Sequence, residues 1–399
     1  MNKIFDIYLA KTDVPGSEAY ARLDLPALPW TLLDVLDKLR LRDGEEMYLE
    51  IDNYYDFGFL APYFEDKPCS LYELNALALK LGELDAMQSF AFEGLVKMEV
   101  SKEHGPLSTP KIIDLAYSTD CCHVVPMELN DSQLGRFYAG NGFVPSADGL
   151  SDELFEMLDF EKIGREMRRD EGGMFTSGGY VVQYDDLNEV YANLDLTLPH
   201  KPDYQILLEV SLGHFGDPEY DNDNLVQLKL PASSHAINAM LNELCAASVE
   251  EIGWRCLDCR IPALMDAVTD AESFGKINSF AVALFKMNDE QAMQYKTVIE
   301  ATECKALTDA EELRDHIGEH IFNRNISSPI EMACLDLSLM MDEDKAARLK
   351  PFVDLYGYGK SVITKYNATL TAYGAVSRKD LQPVQTISET QAQKGMEMV

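Results

Sequence analysis

The chain has 399 residues, which is enough for two or three domains with full hydrophobic cores. It carries 68 acidic against 34 basic residues, a formal net charge of −34, whereas ~2–8 net charges keep a small domain soluble. This balance disfavours direct binding to nucleic acid, because attraction to phosphate depends on Lys and Arg. It favours a partner with a basic binding surface. The other explanation of the high negative charge is adaptation to high salt.

No apolar run reaches the ~18–20 residues that a membrane helix needs, and the first residues lack the pattern of a signal peptide. The eight cysteines are scattered along the chain, as is typical of reduced thiols in a cytoplasm. We therefore expect a cytoplasmic protein without a membrane segment.

The chain begins with a segment that is predicted to be rich in β-structure. Apolar residues within Lys3–Ala10 predict a strand, and Ala19–Leu25 is expected to return antiparallel to it. Pro29–Arg40 has the apolar spacing of an amphipathic helix. Met47–Asp52 alternates as a third strand and leads into the acidic and aromatic segment Asn53–Gly58.

The following segment is predicted to be mainly helical. Ser70 is expected to cap a helix that runs through Leu81, and Glu73 completes a capping box. Three further helices are expected before about residue 138.

Residues 150–184 carry the most specific pattern of the chain. One or two short helices are predicted between Ser151 and Asp170, and the Ser151 hydroxyl is placed to accept from a free amide of the first turn. A Gly-Gly turn follows, and Gly178–Val182 has the pattern of a strand. The apolar residues at helical spacing, which we expect to face a core, are Leu154, Phe155, Leu158, Ile163 and Met167.

The segment Asp159–Glu166, followed by a Gly-Tyr strand, resembles the carboxy-terminal motif of the ArdA antirestriction family. The opening strand and Glu50–Gly58 are also similar to that family. ArdA proteins are DNA mimics from mobile genetic elements, and they occupy the DNA site of type I restriction-modification enzymes. The resemblance implies an elongated α+β chain of small sheet and helix modules, acting as a dimer without catalysis or cofactor.

The sequence also repeats weakly at an interval near 200 residues, which favours two degenerate ArdA-like copies joined near Leu196–Pro202. The matching segments are Phe5–Leu9 with Tyr204–Leu208, Leu23–Ala27 with Leu228–Ala232, Ser70–Asn75 with Ser273–Asn278, Leu158–Phe160 with Val353–Leu355, and Gly179–Val182 with Tyr373–Val376. The predicted boundaries are 1–195 for the first copy (a β-rich module at 1–68, a helical module at 69–145, an acidic α+β module at 146–195), 203–378 for the second, and 379–399 for a flexible tail. One chain would then be a covalent pseudo-dimer, with a homodimer as the alternative.

The two predicted copies differ in charge. Residues 1–200 hold 37 acidic and 16 basic residues, and the remainder hold 31 and 18. The family motif is also better kept in the first copy, because Val353–Lys360 retains one of its acidic residues. We therefore expect the main contact surface in the first copy.

A DNA mimic must present carboxylates at roughly the spacing of phosphates, and residues three or four apart on a helix bring side chains about 5–6 Å apart. Asp152, Glu156 and Asp159 have that spacing. The residues predicted to stand in for phosphates are Asp152, Glu153, Glu156, Asp159, Glu161 and Glu166, with Glu50, Asp52 and Asp56 second and Glu45 and Glu46 beside them. A solvated helix face is the plainer explanation of each acidic run.

Two other classes of function stay open. His316–His320 matches the inverted zinc-peptidase pattern H-x-x-E-H, and on a predicted helix Asp309–Phe322 the two histidines would share one zinc with Glu319 as a base. A surface pair of histidines is the plainer reading. Cys256 and Cys259 lack the second pair that a four-thiolate zinc site needs. A generic acidic interaction module, whose partner has no DNA-shaped groove, is the third class.

Overall fold

The computed structural model describes residues 2–11, 19–41, 47–64, 69–103, 107–196, 201–215 and 224–388. It is a mixed helix and sheet structure with small three-stranded sheets. The chain divides into two compact units, which we call unit 1 (Met1–Tyr8, Leu23–Ala27 and Leu49–Leu198) and unit 2 (Leu9–Arg22, Leu28–Tyr48 and Pro199–Val399). None of the helices in the described ranges has both the length and the apolar composition that crossing a membrane requires.

The first elements are close to those expected from the sequence. They are β1 (Phe5–Lys11), β2 (Tyr20–Leu25), α1 (Pro29–Leu39) and β3 (Met47–Asn53). The strands form one sheet in the order β2-β1-β3. Alternate residues of β1 and β2 are buried, because successive side chains of a strand point to opposite faces.

The rest of the first half is helical, with one small sheet. Its elements are α2 (Ala61–Phe64), α3 (Leu71–Gly82), α4 (Ala86–Glu103), α5 (Thr109–Ala116), β4 (Cys122–Pro126), α6 (Asp131–Gly140), α7 (Asp152–Phe155), α8 (Phe160–Glu171), β5 (Met174–Phe175) and β6 (Gly179–Gln183). The predicted capping box at Ser70 and Glu73 is present at the start of α3. Strand β4 lies inside the segment predicted to be mainly helical, and it pairs antiparallel with β6 in the order β4-β6-β5.

The second half contains elements of the same kinds. They are β7 (Ile206–Leu212), β8 (Leu225–Leu230), α9 (Ser234–Glu243), β9 (Ile252–Cys259), α10 (Phe274–Lys286), α11 (Asp289–Ala301), α12 (Leu307–Asp315), β10 (His320–Asn323), α13 (Pro329–Met340), α14 (Glu343–Leu349), α15 (Leu355–Tyr366), β11 (Thr369–Thr371) and β12 (Gly374–Arg378). Apart from the four-residue α2, their order follows that of the first half. The strand orders β8-β7-β9 and β10-β12-β11 also follow those of the first half.

Helix α1 packs within unit 2, although it lies near the start of the sequence. Its first amides are capped by Asp258 of β9, whose carboxylate accepts from the Trp30 amide at 2.9 Å and from the Thr31 amide at 3.1 Å. The Tyr204 hydroxyl donates to the same carboxylate at 2.8 Å, and Trp30 packs against Tyr204 and Leu207. The last change from unit 1 to unit 2, at Leu198/Pro199, lies in the predicted junction Leu196–Pro202, whereas Leu9–Arg22 and Leu28–Tyr48 of the predicted first copy belong to unit 2.

The predicted flexible tail is partly described. Residues 379–388 are held on unit 2: the Lys379 amide donates to the Glu319 carbonyl at 2.9 Å, and the Ile387 amide donates to the Thr302 carbonyl at 3.0 Å. The Ile387 side chain packs against the core of unit 2. Residues 389–399 lie outside the described part.

Helices α6 and α8 cross at very short range. A Cβ atom at Gly164 of α8 would lie 1.8 Å from the carbonyl oxygen of Asp131, and one at Gly135 of α6 would lie 1.9 Å from that of Phe160. Gly359 of α15 is equally close to the Pro329 carbonyl of α13, at 1.8 Å. The glycine within the ArdA-like motif is therefore a packing residue.

Replacing Gly164 with alanine should destabilise the α6–α8 pair by about 1–3 kcal/mol or more, because the added methyl group meets backbone that must move. Hydrogen exchange of the α8 amides measures this loss locally. Gly140→Ala is the matched control, since its Cβ would meet only the Phe155 ring at 3.7 Å. Equal exchange rates in the two variants would contradict the packing role of Gly164.

Candidate functional site

The acidic segment of residues 151–171 forms two helices that meet at a turn. The Ser151 hydroxyl caps α7 by accepting from the Leu154 amide, as predicted. Asp159 caps α8 by accepting from the Lys162 amide at 3.0 Å, with φ −80° and ψ 80°. Because α7 ends at Phe155 and Asp159 starts a new helix, the expected row of Asp152, Glu156 and Asp159 does not follow one helix. The predicted core position of Leu154 is also wrong, since its side chain is 53% exposed.

All six acidic residues predicted in this segment are exposed: Asp152, Glu153, Glu156, Asp159, Glu161 and Glu166. Two of them have a cationic partner. Arg136 of α6 donates to Glu156 from both terminal guanidinium nitrogens, Nη1 and Nη2, and these hydrogen bonds lower the pKa of that carboxyl. Glu161 is paired with Arg165 one turn later. These two carboxylates offer less net charge to a partner than Asp152, Glu153 and Glu166, which form no ion pair with any described residue.

The excess negative charge lies before α8 rather than along it. Helix α8 holds four acidic and four basic residues, whereas residues 148–159 hold five acidic residues and no basic one. We call residues 148–159 the acidic turn. The structure therefore places the uncompensated charge at α7 and the turn that follows, and not along the helix of the ArdA-like motif.

Several polar residues of this module stabilise the fold. Asp131 accepts two hydrogen bonds from Arg168, at 2.8 and 3.1 Å, which lower the pKa of the Asp131 carboxyl. The hydroxyls of Tyr138 and Tyr180 both donate to Glu171, at 2.7 and 3.1 Å. Tyr180 is fully buried, so the tyrosine of the Gly-Tyr strand is a core residue.

The second predicted cluster lies on the solvent-facing side of β3 and just after it. Glu50 and Asp52 alternate with half-buried residues along β3, and Asp56 lies exposed in the 3-10 turn Tyr55–Leu60. Glu45 and Glu46 lie outside the described residues.

Sequence reasoning missed two further carboxylates on this sheet. Asp6 of β1 and Asp24 of β2 alternate with the buried residues of their strands and so share the face of Glu50 and Asp52. Neighbouring strands lie about 4.7–4.9 Å apart, and alternate residues of a strand about 6.6–6.8 Å apart. Asp24 is paired with Lys3 at 2.6 Å. The signal that could have found them is the alternation of charged and apolar residues in both strands.

The helix predicted over Asp309–Phe322 is wrong in its second half. Helix α12 ends at Asp315, Ile317–Glu319 form a 3-10 turn, and His320 begins β10 by pairing with Arg378 of β12. The helical i, i+4 geometry of the two histidines is therefore absent, because sheet pairing determines the conformation at His320.

His316 and His320 also lie in unlike environments. His316 is exposed with Nδ1 2.9 Å from Glu319 Oε1, and this carboxylate raises the pKa of His316. His320 is 7% exposed, and burial lowers its pKa. Both line a cavity of about 310 Å³ together with Glu319 and Arg378. Within the described residues, no group of three or more His, Cys, Asp or Glu side chains is placed to hold a metal ion.

The cysteine pair on β9 is unsuited to thiol chemistry. Cys259 is fully buried and Cys256 is partly buried. Burial raises the pKa of the Cys259 thiol to about 12 and also raises the pKa of the Cys256 thiol. Both thiols are therefore protonated at neutral pH, whereas the thiolate is the nucleophile and the metal ligand.

Comparisons with known proteins do not place the chain in a family. Neither a family model nor a curated protein matches it. The resemblance to ArdA therefore stays a prediction from the motifs quoted above.

Proposed function

We propose that the chain is an acidic DNA-mimic antirestriction protein of the ArdA type. It would occupy the DNA-binding groove of a bacterial defence enzyme, in the first place a type I restriction-modification complex, without catalysis and in the cytoplasm of the bacterial host. The observation that carries this proposal is the acidic turn, whose Asp152 and Glu153 lie exposed without a cationic partner among the described residues. The basic residues of the partner would pair with these carboxylates and release counterions, as the basic residues of DNA-binding proteins do with phosphates.

The sheet face of Asp6, Glu50 and Asp52 adds carboxylates to the same proposal, although Asp24 on this face is paired with Lys3 and Arg22 shares it. In a sheet, backbone positions on neighbouring strands lie about 4.7–4.9 Å apart, and alternate positions of one strand about 6.6–6.8 Å apart. Both acidic surfaces belong to unit 1. Residues 1–200 also carry more than half of the net charge, so the first copy is the proposed seat of the main contact.

We further propose that the chain consists of two degenerate copies, 1–195 and 203–378, and acts as a covalent pseudo-dimer. The common order of elements and strands supports this division. An equivalent side-chain clamp supports it too. The Asn75 amide group bridges the backbone of Ala27 at 2.8 and 3.1 Å, and that of Asn278 bridges Ala232 at the same two distances.

The proposal is tested by adding the purified chain to DNA cleavage by a type I restriction-modification complex. If the chain is a mimic, inhibition of cleavage should increase in proportion to the amount of chain and be complete near one equivalent per binding site. A hydrolase that destroys a component of the assay would inhibit at far lower amounts, given time. Cleavage that continues unchanged with the chain in excess would contradict the proposed function for that class of enzyme.

A further inference from the structure

The two most exposed large apolar side chains among the described residues are Phe352, 86% exposed, and Met157, 79% exposed. Met157 lies in the turn between α7 and α8, and Phe352 lies in the turn between α14 and α15. A single exposed apolar residue needs no explanation. These two need one because they occupy the same structural position in the two halves.

The equivalence follows from the helix caps. Asp159 and Asp354 each cap the next helix by accepting from the amide three residues later, with nearly the same backbone angles. Met157 and Phe352 both stand two residues before that cap. The residue after each of them makes a matching turn hydrogen bond: the Leu158 amide donates to the Phe155 carbonyl at 3.1 Å, and the Val353 amide donates to the Lys350 carbonyl at 3.3 Å.

Each of these side chains has an exposed leucine three residues earlier. Leu154 is 53% exposed and Leu349 is 39% exposed. We call Leu154 with Met157, and Leu349 with Phe352, the apolar pair of each half. The charged residues around them differ, since Glu153 and Glu156 correspond to Arg348 and Pro351. The two halves thus differ in charge at these positions and share an exposed apolar pair that contributes little to either core.

We infer that the apolar pair Leu154/Met157 is the centre of a docking surface for the basic partner, whereas Leu349/Phe352, flanked by Arg348 and Lys350, is not assigned to it. This inference rests on the proposed function and adds an apolar recess to the basic groove that the chain would occupy. Charge decides the occupant at the first pair. Five carboxylates and no cation lie in residues 148–159, so the same turn of a second copy would bring like charges together, whereas a basic surface is attracted.

The two kinds of contact respond differently to salt. Attraction between exposed charges is screened as the Debye length falls from about 10 Å at 0.1 M to a few Å near 0.5 M. Removal of apolar surface from water does not depend on that screening. The apolar pair should therefore supply the part of the affinity that survives high salt.

The test compares Met157→Gln with Met127→Gln, a methionine of unit 1 that is 75% exposed. Binding of the labelled full-length chain to a purified type I restriction-modification complex is measured by fluorescence anisotropy at about 0.1 and 0.5 M salt. Met157→Gln should weaken binding about 5- to 20-fold at both salts, as expected for a buried apolar anchor, and Met127→Gln less than about twofold.

The outcomes separate this inference from the proposed function. If the unaltered chain does not bind the complex, the proposed function fails and the inference fails with it. If the chain binds and Met157→Gln binds as tightly as Met127→Gln, only the inference is overturned. A chain that light scattering finds dimeric, and that Met157→Gln makes monomeric without loss of affinity, would assign the pair to a second copy and also overturn it.

Discussion

Replacing Asp34 with asparagine should lower the free energy of unfolding of unit 2 by about 3–5 kcal/mol, the usual cost of removing one partner from a buried ion pair. Asp34 of α1 is 2% exposed, and its carboxylate lies 2.6 Å from Nζ of Lys296, which is 4% exposed. Lys38 lies 2.9 Å from the same carboxylate, and the Tyr373 hydroxyl donates to it at 2.9 Å. The amide would leave Lys296 buried with only Asp37 to balance it.

The measurement is urea unfolding followed by tryptophan fluorescence. Both tryptophans, Trp30 and Trp254, belong to unit 2, so the fluorescence signal comes from that unit. Asp37→Asn is the control, because the side chain of Asp37 is 29% exposed and solvent weakens its pairing with Lys296. If Asp34→Asn lowers the free energy of unfolding no more than Asp37→Asn does, the central role of Asp34 in the ion pairs with Lys296 and Lys38 is contradicted.

The same substitution should change how stability depends on pH. Burial raises the pKa of Asp34, but Lys296 and Lys38 outweigh it and hold this pKa below the ordinary value. A carboxyl with a lowered pKa stabilises the fold above its unfolded pKa, near 3.9, and loses that contribution as the pH falls further. The difference between the unaltered chain and Asp34→Asn should therefore be complete at neutral pH and shrink below about pH 4.

Neutralising the unpaired carboxylates of α7 and α8 should weaken binding to a type I restriction-modification complex about 10- to 100-fold at low salt, mainly through slower association. The variant combines Asp152→Asn, Glu153→Gln and Glu166→Gln, three exposed residues without a cationic partner among those described. Asp159 is left in place because its side chain caps α8. The change removes charge and leaves the helix caps and core contacts intact.

The matched control removes three exposed carboxylates from unit 2. It combines Glu243→Gln, Glu290→Gln and Glu303→Gln, and so changes the net charge by the same amount. Stopped-flow association rates at about 0.1 and 0.5 M salt should differ between the two variants at the lower salt and converge at the higher. Equal losses in both would mean that net charge alone, and not its position, determines binding.

Local signals in the sequence predict much of the helical structure. Two predicted helix caps are present: the capping box of Ser70 and Glu73 at α3, and Ser151 at α7. Such caps can be predicted because they depend on residues within one helical turn. Asp159 was missed as a cap because it lies inside a run with helical spacing. Its side chain competes for the Lys162 amide and ends the continuity between α7 and α8.

Pairing between distant residues explains what the sequence could not predict. Strand β4 exists because it pairs with β6, about 55 residues later, and His320 is in a strand because it pairs with Arg378. The cap of α1 comes from Asp258, more than 220 residues away. The acidic sheet face is an intermediate case, since alternation in β1 and β2 is local but the alignment of their carboxylates depends on the sheet.

The central claim is that the chain occupies the place of DNA on its partner, and equilibrium competition tests it most directly. Labelled chain is bound to a purified type I restriction-modification complex and titrated with unlabelled duplex DNA that carries the recognition site. The account predicts that the apparent Kd of the chain rises in proportion to free DNA without reaching a plateau, because one site cannot hold both. An apparent Kd that levels off, or does not change with DNA, would mean that the two bind at once and would contradict the account.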